Sequence, residues 1–151
     1  MVVEVRVEVR RAEPGDLDIV LELVGEYCSA DAHDFAESTA RAGVEPLLRD
    51  DRVGTILLVT VDGTVDGYAA VTWGWSIEIG GFEVVLDEIF VRTKGRGVGS
   101  RLIEAIEADC RKRSVRRIFL ETELPNEAAR RLYERHGYAA DTSIWMSKDL
   151  F

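Results

Sequence analysis

Val3, Val5, Val7 and Val9 alternate with Glu4, Arg6, Glu8 and Arg10 near the N-terminus, the period of two expected of a strand with one buried face. "EPGD" at 13–16 breaks that alternation. Beyond it Val20, Leu21, Val24, Tyr27 and Cys28 recur on one helical face, with Asp16 placed to cap the first turn. A second helix is predicted over 35–49, with Gly43 and Pro46 working against its continuity. The apolar runs "TILLVTV" and "GYAAVTWGWSIEI" follow, joined by "DGTVDG", whose Asp-Gly pairs predict an antiparallel hairpin. A third run, "FEVVLDEIFV", comes after Gly80 and Gly81 and is interrupted by two adjacent acids, Asp87 and Glu88.

Downstream the period changes to that of a helix. Val98, Leu102, Ile103, Ala105, Ile106 and Cys110 predict a third helix, and "RRIFLET" a further strand. Residues 126–136 predict a fourth helix with Ala129, Leu132, Tyr133 and His136 close to one stripe, and Gly137 suits its C-terminal cap. "YAADTSIWMSKDL" predicts two short final strands. This order of elements implies an α/β fold with a mixed sheet, and the lack of repeats or linkers leads us to expect a single domain over residues 1–151.

The segment "FVRTKGRGVGSRL" at 90–102 places Gly95, Gly97 and Gly99 between a strand pattern and a helix pattern. A loop that enters a helix N-terminus exposes backbone N–H groups without intrahelical partners, and the peptide dipoles favour negative charge there. Phosphate is the natural guest, with Lys94, Arg96 and Arg101 at the rim. A flexible basic turn also fits these residues. "GRGVGSR" lacks the Gly-Lys-Ser/Thr of a Walker loop, and its spacing and hairpin-like approach differ from a dinucleotide fingerprint.

Net charge changes the picture of what is bound. At −9 over 151 residues the chain is a poor match to a nucleic-acid backbone and a better one to a cationic substrate. No stretch approaches the roughly 18 uninterrupted apolar residues of a membrane span, and the N-terminus lacks a signal-peptide pattern. Two cysteines, Cys28 and Cys110, make no disulfide framework or metal-ligand spacing, so a reduced, cytoplasmic setting is expected. His33 and His136 are the only histidines, and no ligand cluster accompanies either, so no metal is expected.

Several ordered motifs together resemble the GCN5-related N-acetyltransferase family. "KGRGVG" is similar to its acyl-CoA loop, "VRRAEPGDLDIVLEL" to its first strand and helix, and "LDEIFV" to the strand before the loop. "NEAARRLYERHGY" resembles its asparagine-and-tyrosine helix and "WMSKDL" its usual ending. Lys94 stands where the family usually has Gln or Arg. The resemblance implies a mixed, mainly antiparallel central sheet flanked by helices and splayed between the fourth and fifth strands. It implies acetyl-CoA as acyl donor and an amine as acceptor. The pantetheine arm would meet the main chain around Ile89, Phe90 and Val91, and the pyrophosphate the amides of Lys94, Gly95, Arg96, Gly97, Val98, Gly99 and Ser100. Asn126 would bond the cofactor arm, and the hydroxyl of Tyr133 would lie near the CoA sulfur as general acid.

For the base, Asp87 and Glu88 are both candidates, and a regular strand would point them to opposite sides, whereas a bulge would alter that parity. On the acceptor side Trp73, Trp75 and Glu78, with Tyr27, Asp31 and His33, offer aromatic faces and carboxylates suited to an amine or polyamine, though the tryptophans also fit an ordinary core. The reading is direct acetyl transfer to a primary amine, a small amine or polyamine first. A protein N-terminus or lysine and an aminoglycoside are alternative acceptors, and a non-catalytic acyl-CoA-binding module is the alternative class. A homodimer is compatible with the resemblance, and neither a nucleic acid nor a membrane is expected as a partner.

Overall fold

The computed structural model describes residues 4–151, so Val3 of the N-terminal alternation lies outside the described residues. The chain divides into a larger unit that ends at Glu121 and a smaller one, Thr122–Phe151. In the larger unit the order is β1 (Val7–Arg11), a 3₁₀ turn at Pro14–Asp16, α1 (Leu17–Ala30), α2 (Glu37–Arg49), β2 (Gly54–Val61), β3 (Thr64–Ser76), β4 (Gly81–Val91), α3 (Val98–Lys112) and β5 (Arg117–Phe119). The five strands form one sheet in sequence order, antiparallel except for the parallel β4–β5 pair. This is the mixed sheet flanked by helices that the motifs imply.

Apolar residues on both faces of the central strands explain why helices cover both sides. Ile56, Leu58, Tyr68 and Ala70 join Val20, Leu23 and Val24 of α1 and Val44, Leu47 and Leu48 of α2 in one buried cluster. The alternate residues Leu57, Val59, Ala69, Val71, Val84 and Leu86 are also buried, and so are Val98, Leu102, Ile103, Ile106 and Cys110 of α3, which packs against β1 to β4. Each such aliphatic side chain contributes roughly 1.5–3 kcal/mol on full burial, which carries α2 through Gly43 and Pro46 without a break. Among the described residues no helix is long and apolar enough to cross a membrane.

Local polar chemistry sets several boundaries. The β2–β3 turn places Asp62 at φ 49° and Gly63 at φ 84°, the positive pair that suits the twist of a two-residue hairpin. Asp16 precedes α1 as expected but makes no side-chain cap to it. Its carboxylate instead accepts both terminal nitrogens of Arg10, at 2.8 and 2.9 Å, and the Glu13 N–H at 2.8 Å, tying the end of β1 to the 3₁₀ turn.

In the smaller unit α4 spans Glu127–Arg135, inside the predicted 126–136. Asn126 caps its start by accepting the Ala129 N–H at 3.2 Å. At its end Gly137, at φ 86°, donates to the Glu134 carbonyl and Tyr138 to that of Tyr133, the paired bonds of a Schellman motif. The two final strands expected from 138–150 are not present among the described residues. The Asp141 side chain accepts from Thr142 N, Ser143 N and Ser143 Oγ, occupying backbone donors that a ladder would use.

Candidate active site

The β4–β5 ladder is short. Glu83, Val84 and Val85 pair with Arg117, Ile118 and Phe119, and beyond Val85 the β4 segment Leu86–Val91 keeps a strand neighbour only on the β3 side. That opening is the splay, and it leaves the β4 edge beyond Val85 without a strand partner on the β5 side. The predicted strand over 116–122 is realised only as Arg117–Phe119.

A bulge decides how the two acids of β4 are presented. Ala70 lies opposite Glu88, but its neighbour Val71 lies opposite Leu86, so Asp87 is an extra, unpaired residue. Opposed residues of an antiparallel pair share a face. Without the bulge Glu88 would follow Leu86 to the α3 side. With it, Glu88 joins Ala70, and Phe90 joins Tyr68, on the face covered by α1. Asp87 is exposed and Glu88 half-buried.

Burial pushes the Glu88 carboxyl above its ordinary range, and the charge of Asp87 adds to the push, while the nearby Tyr68 hydroxyl and the charge of His33 oppose it. Burial likewise raises the Tyr68 phenol, helped by Glu88, so the hydroxyl stays protonated. Cys28 at the end of α1 is shifted up by burial, then by Glu88 and Asp31, and is a neutral thiol. The chain after α1 folds back through Ala32 at φ 54°, with the His33 N–H bonded to the Cys28 carbonyl at 2.8 Å. That turn sets the His33 ring edge-on to Tyr27, 6.4 Å between centroids. Tyr27, Asp31 and His33 therefore gather at the α1 end of the Glu88 face.

The glycine loop has an anchor that the motif does not reveal. A second bulge, where Val59 lies opposite Gly67 and Thr60 opposite Val65, makes Asp66 the extra residue of β3. Its side chain is buried and accepts the Thr93 hydroxyl at 2.6 Å and the Thr93 N–H at 3.1 Å, while its carbonyl accepts the Arg92 N–H at 2.7 Å. Arg92 itself does not point to the loop; it bonds Glu22 and Glu26 of α1 at 2.7 and 2.8 Å. Gly95 and Gly97 then take φ of 72° and 76°, and Gly97 is the N-cap of α3. An ideal Cβ on either would meet nothing within 4 Å, so the surface in front of these glycines is open. No acid occupies the first turn of α3, and the Lys94 ammonium lies 4.9 Å from the centre of the Phe90 ring. Arg96 is exposed, Val98 is buried as the first residue of α3, and Gly99, Ser100 and Arg101 continue its first turn.

The other aromatic candidates lie elsewhere. Trp73 opposes Val84, and its indole N–H donates to the Asp51 carbonyl at 2.6 Å. Arg113 covers the ring at 4.7 Å and pairs with Asp51 and Asp109 at 2.9 and 3.0 Å. Trp73 is thus a strut on the α3 side, the opposite face from Glu88. Trp75 is exposed at the end of β3 with Phe82 against it at 5.2 Å, and Glu78 is exposed in the β3–β4 turn. In the smaller unit the Tyr133 ring stands 5.9 Å from that of Tyr138, and Asn126 is the α4 cap. Among the described residues, no group of at least three His, Cys, Asp or Glu side chains is placed to hold a metal.

Sequence reasoning missed Asp66, Thr93 and Tyr68. The one available signal was the Asp-Gly pair at 66–67, read as a turn and found to be a bulge.

The acetyltransferase (GNAT) family model matches residues 19–138. A Bacillus subtilis (strain 168) protein described as an uncharacterized N-acetyltransferase, YhfO, is 24% identical over 141 residues, 90% of this chain and 92% of that one. An integron cassette protein from the mobile metagenome of Cole Harbour Salt Marsh superposes with a TM-score of 0.85 at 26% identity, covering 95% of this chain and 90% of that one. The aminoglycoside N-acetyltransferase AAC(6')-Iy, solved with CoA, superposes at 0.82 and 17% identity over 100% of both chains.

Proposed function

The chain belongs to the acetyltransferase (GNAT) family, and from that premise we propose that it acetylates a primary amine directly, with a small amine or polyamine as acceptor and Glu88 as the base. The observation that carries this reading is the bulge at Asp87, which turns a half-buried carboxylate toward the α1 end where Tyr27, Asp31 and His33 gather. Aromatic edges and acids there suit a cation, and the chain's −9 charge draws one in.

The residues present fit an acyl-CoA. The open edge of β4 at Ile89, Phe90 and Val91 offers main-chain partners to an extended amide arm. The left-handed turn at Gly95 and Gly97, with the first-turn amides of α3, offers donors to phosphate, and Lys94, Arg96 and Arg101 add positive charge. Acetyl-CoA supplies, when bound, an acetyl group activated as a thioester.

A carboxylate that burial has made more basic can take the proton of an incoming ammonium, directly or through water, so Glu88 delivers the neutral amine. The Ile89 N–H is the donor assigned to the acetyl carbonyl oxygen. Tyr133 holds on its hydroxyl the proton needed by the departing thiolate, and Asn126 bonds the cofactor arm. Both assignments follow the motif "NEAARRLYERHGY". An aminoglycoside acceptor is the second reading, favoured by the likeness to AAC(6')-Iy.

The test is thiol release from acetyl-CoA with and without a panel of amines, polyamines, aminoglycosides and peptides. Acceleration by di- and polyamines above the others is expected. Release best supported by an aminoglycoside selects the second reading. CoA binding with no turnover across the panel identifies an acyl-CoA-binding module instead.

A further inference from the structure

Tyr68 is buried, 1% exposed, and its hydroxyl has no partner at hydrogen-bonding geometry. A buried polar group left unpaired costs free energy, so such a group in a folded protein calls for an explanation. An acceptor on the same face of the sheet would satisfy it. Tyr68 opposes Phe90 and its second neighbour Ala70 opposes Glu88, so Tyr68 and Glu88 are diagonal neighbours on one face of the sheet, within reach for long side chains.

We propose that the Tyr68 hydroxyl is a positioning group that donates to the ionised Glu88 carboxylate and holds it toward the acceptor side of the sheet. The proposal rests on the reading of Glu88 as base for its catalytic consequence, but the contact itself can be tested without it. Each group already acts on the other: the Glu88 charge raises the phenol further, and the nearby phenol pulls the carboxyl down against burial and Asp87. A phenol that stays protonated can only donate to a carboxylate.

The other titratable groups around Glu88 do not replace it. Asp87, next to it on β4, works in the opposite sense, and Asp31 beyond α1 acts on the Cys28 thiol. Cys28 from α1 is a neutral thiol and a weak donor, and Tyr27, also on α1, adds to the upward shift of the Tyr68 phenol. His33 assists only while it is protonated, and it is exposed. Tyr68 is the donor that survives at the pH where an amine is acetylated. The bulge at Asp87 brings Glu88 to Tyr68, so one extra residue in β4 both exposes the acid that is not the base and partners the acid that is.

The experiment is the ¹³C-carboxyl titration of Glu88, assigned with Glu88→Gln, in the wild-type chain and in Tyr68→Phe, with kcat/KM measured across pH in parallel. Phe keeps the ring and removes only the hydroxyl, so the chain should stay folded while the Tm falls by the few degrees expected of one lost hydrogen bond. Glu88 should titrate about one pH unit higher in Tyr68→Phe, the size of one charge-assisted hydrogen bond, and the acidic limb of kcat/KM should move with it. Incorporating 3-fluorotyrosine in place of Tyr68, a stronger donor of nearly the same shape, should move both the other way. An unchanged Glu88 titration in these two variants overturns the proposal. A moved titration with an unmoved kcat/KM limb supports the contact and overturns Glu88 as base.

Discussion

Replacing Thr93 with Val tests whether the glycine loop is held from below. The hydroxyl of Thr93 donates to the buried Asp66 carboxylate at 2.6 Å, and the substitution removes that bond while keeping the backbone bond from Thr93 N and the branched shape. A hydrogen bond to a charged group is worth about 1.5–3 kcal/mol, and Asp66 is too buried for water to substitute fully. If the whole structure bears the loss, Tm falls by roughly 3–12 °C, from about 2–4 °C per kcal/mol for a chain of this size. If the loop alone loosens, the same free energy appears in CoA affinity as a loss of roughly 10- to 150-fold, because the loop must be ordered again on binding. Urea unfolding and calorimetric titration with CoA read the two channels separately, and Thr93→Ser should restore both. A Val variant within about 0.5 kcal/mol of wild type in both measurements would refute the account of Asp66 as the loop's anchor.

Gly97→Ala should cost about 1–2 kcal/mol in urea unfolding, all of it from the left-handed φ of 76°, because the added Cβ meets no atom; it should also raise KM for acetyl-CoA, and unchanged stability would contradict the assigned turn. Glu88 binds its proton more tightly folded than unfolded, so its contribution to stability falls as pH rises from the ordinary carboxylate value to the raised one, and the cost persists above. Glu88→Gln should therefore flatten the pH dependence of unfolding over that window while lowering turnover by about 10²–10⁴-fold; full activity would remove Glu88 as base. Tyr133→Phe should lower turnover far more than CoA affinity, and an unchanged rate would sink its assignment as acid.

Much of the fold was legible because it is written in local periods. The alternation at 5–10, the helical stripe from Val98 to Cys110 and the cap signal at Gly137 depend on neighbours within a turn, and each element formed close to its predicted place. The glycine loop was legible for the same reason: Gly95 and Gly97 are needed where the backbone turns left-handed. Where an element failed, a side chain competed for the backbone or for another charge. Asp141 bonds three nearby donors in a segment expected to be a strand, and Asp16 answers Arg10 rather than capping α1.

The sequence by itself determined the order of most strands and helices, the apolar faces and the position of the glycine loop before α3. Only the tertiary structure decided which acid faces α1, what anchors the loop and where Trp73 points. The reason is the strand's period of two, in which a single inserted residue moves everything after it to the other face. Asp66 and Asp87 are such insertions, and each exists only relative to the register of the strand beside it. That register is a long-range agreement between strands, which no local pattern in the chain records.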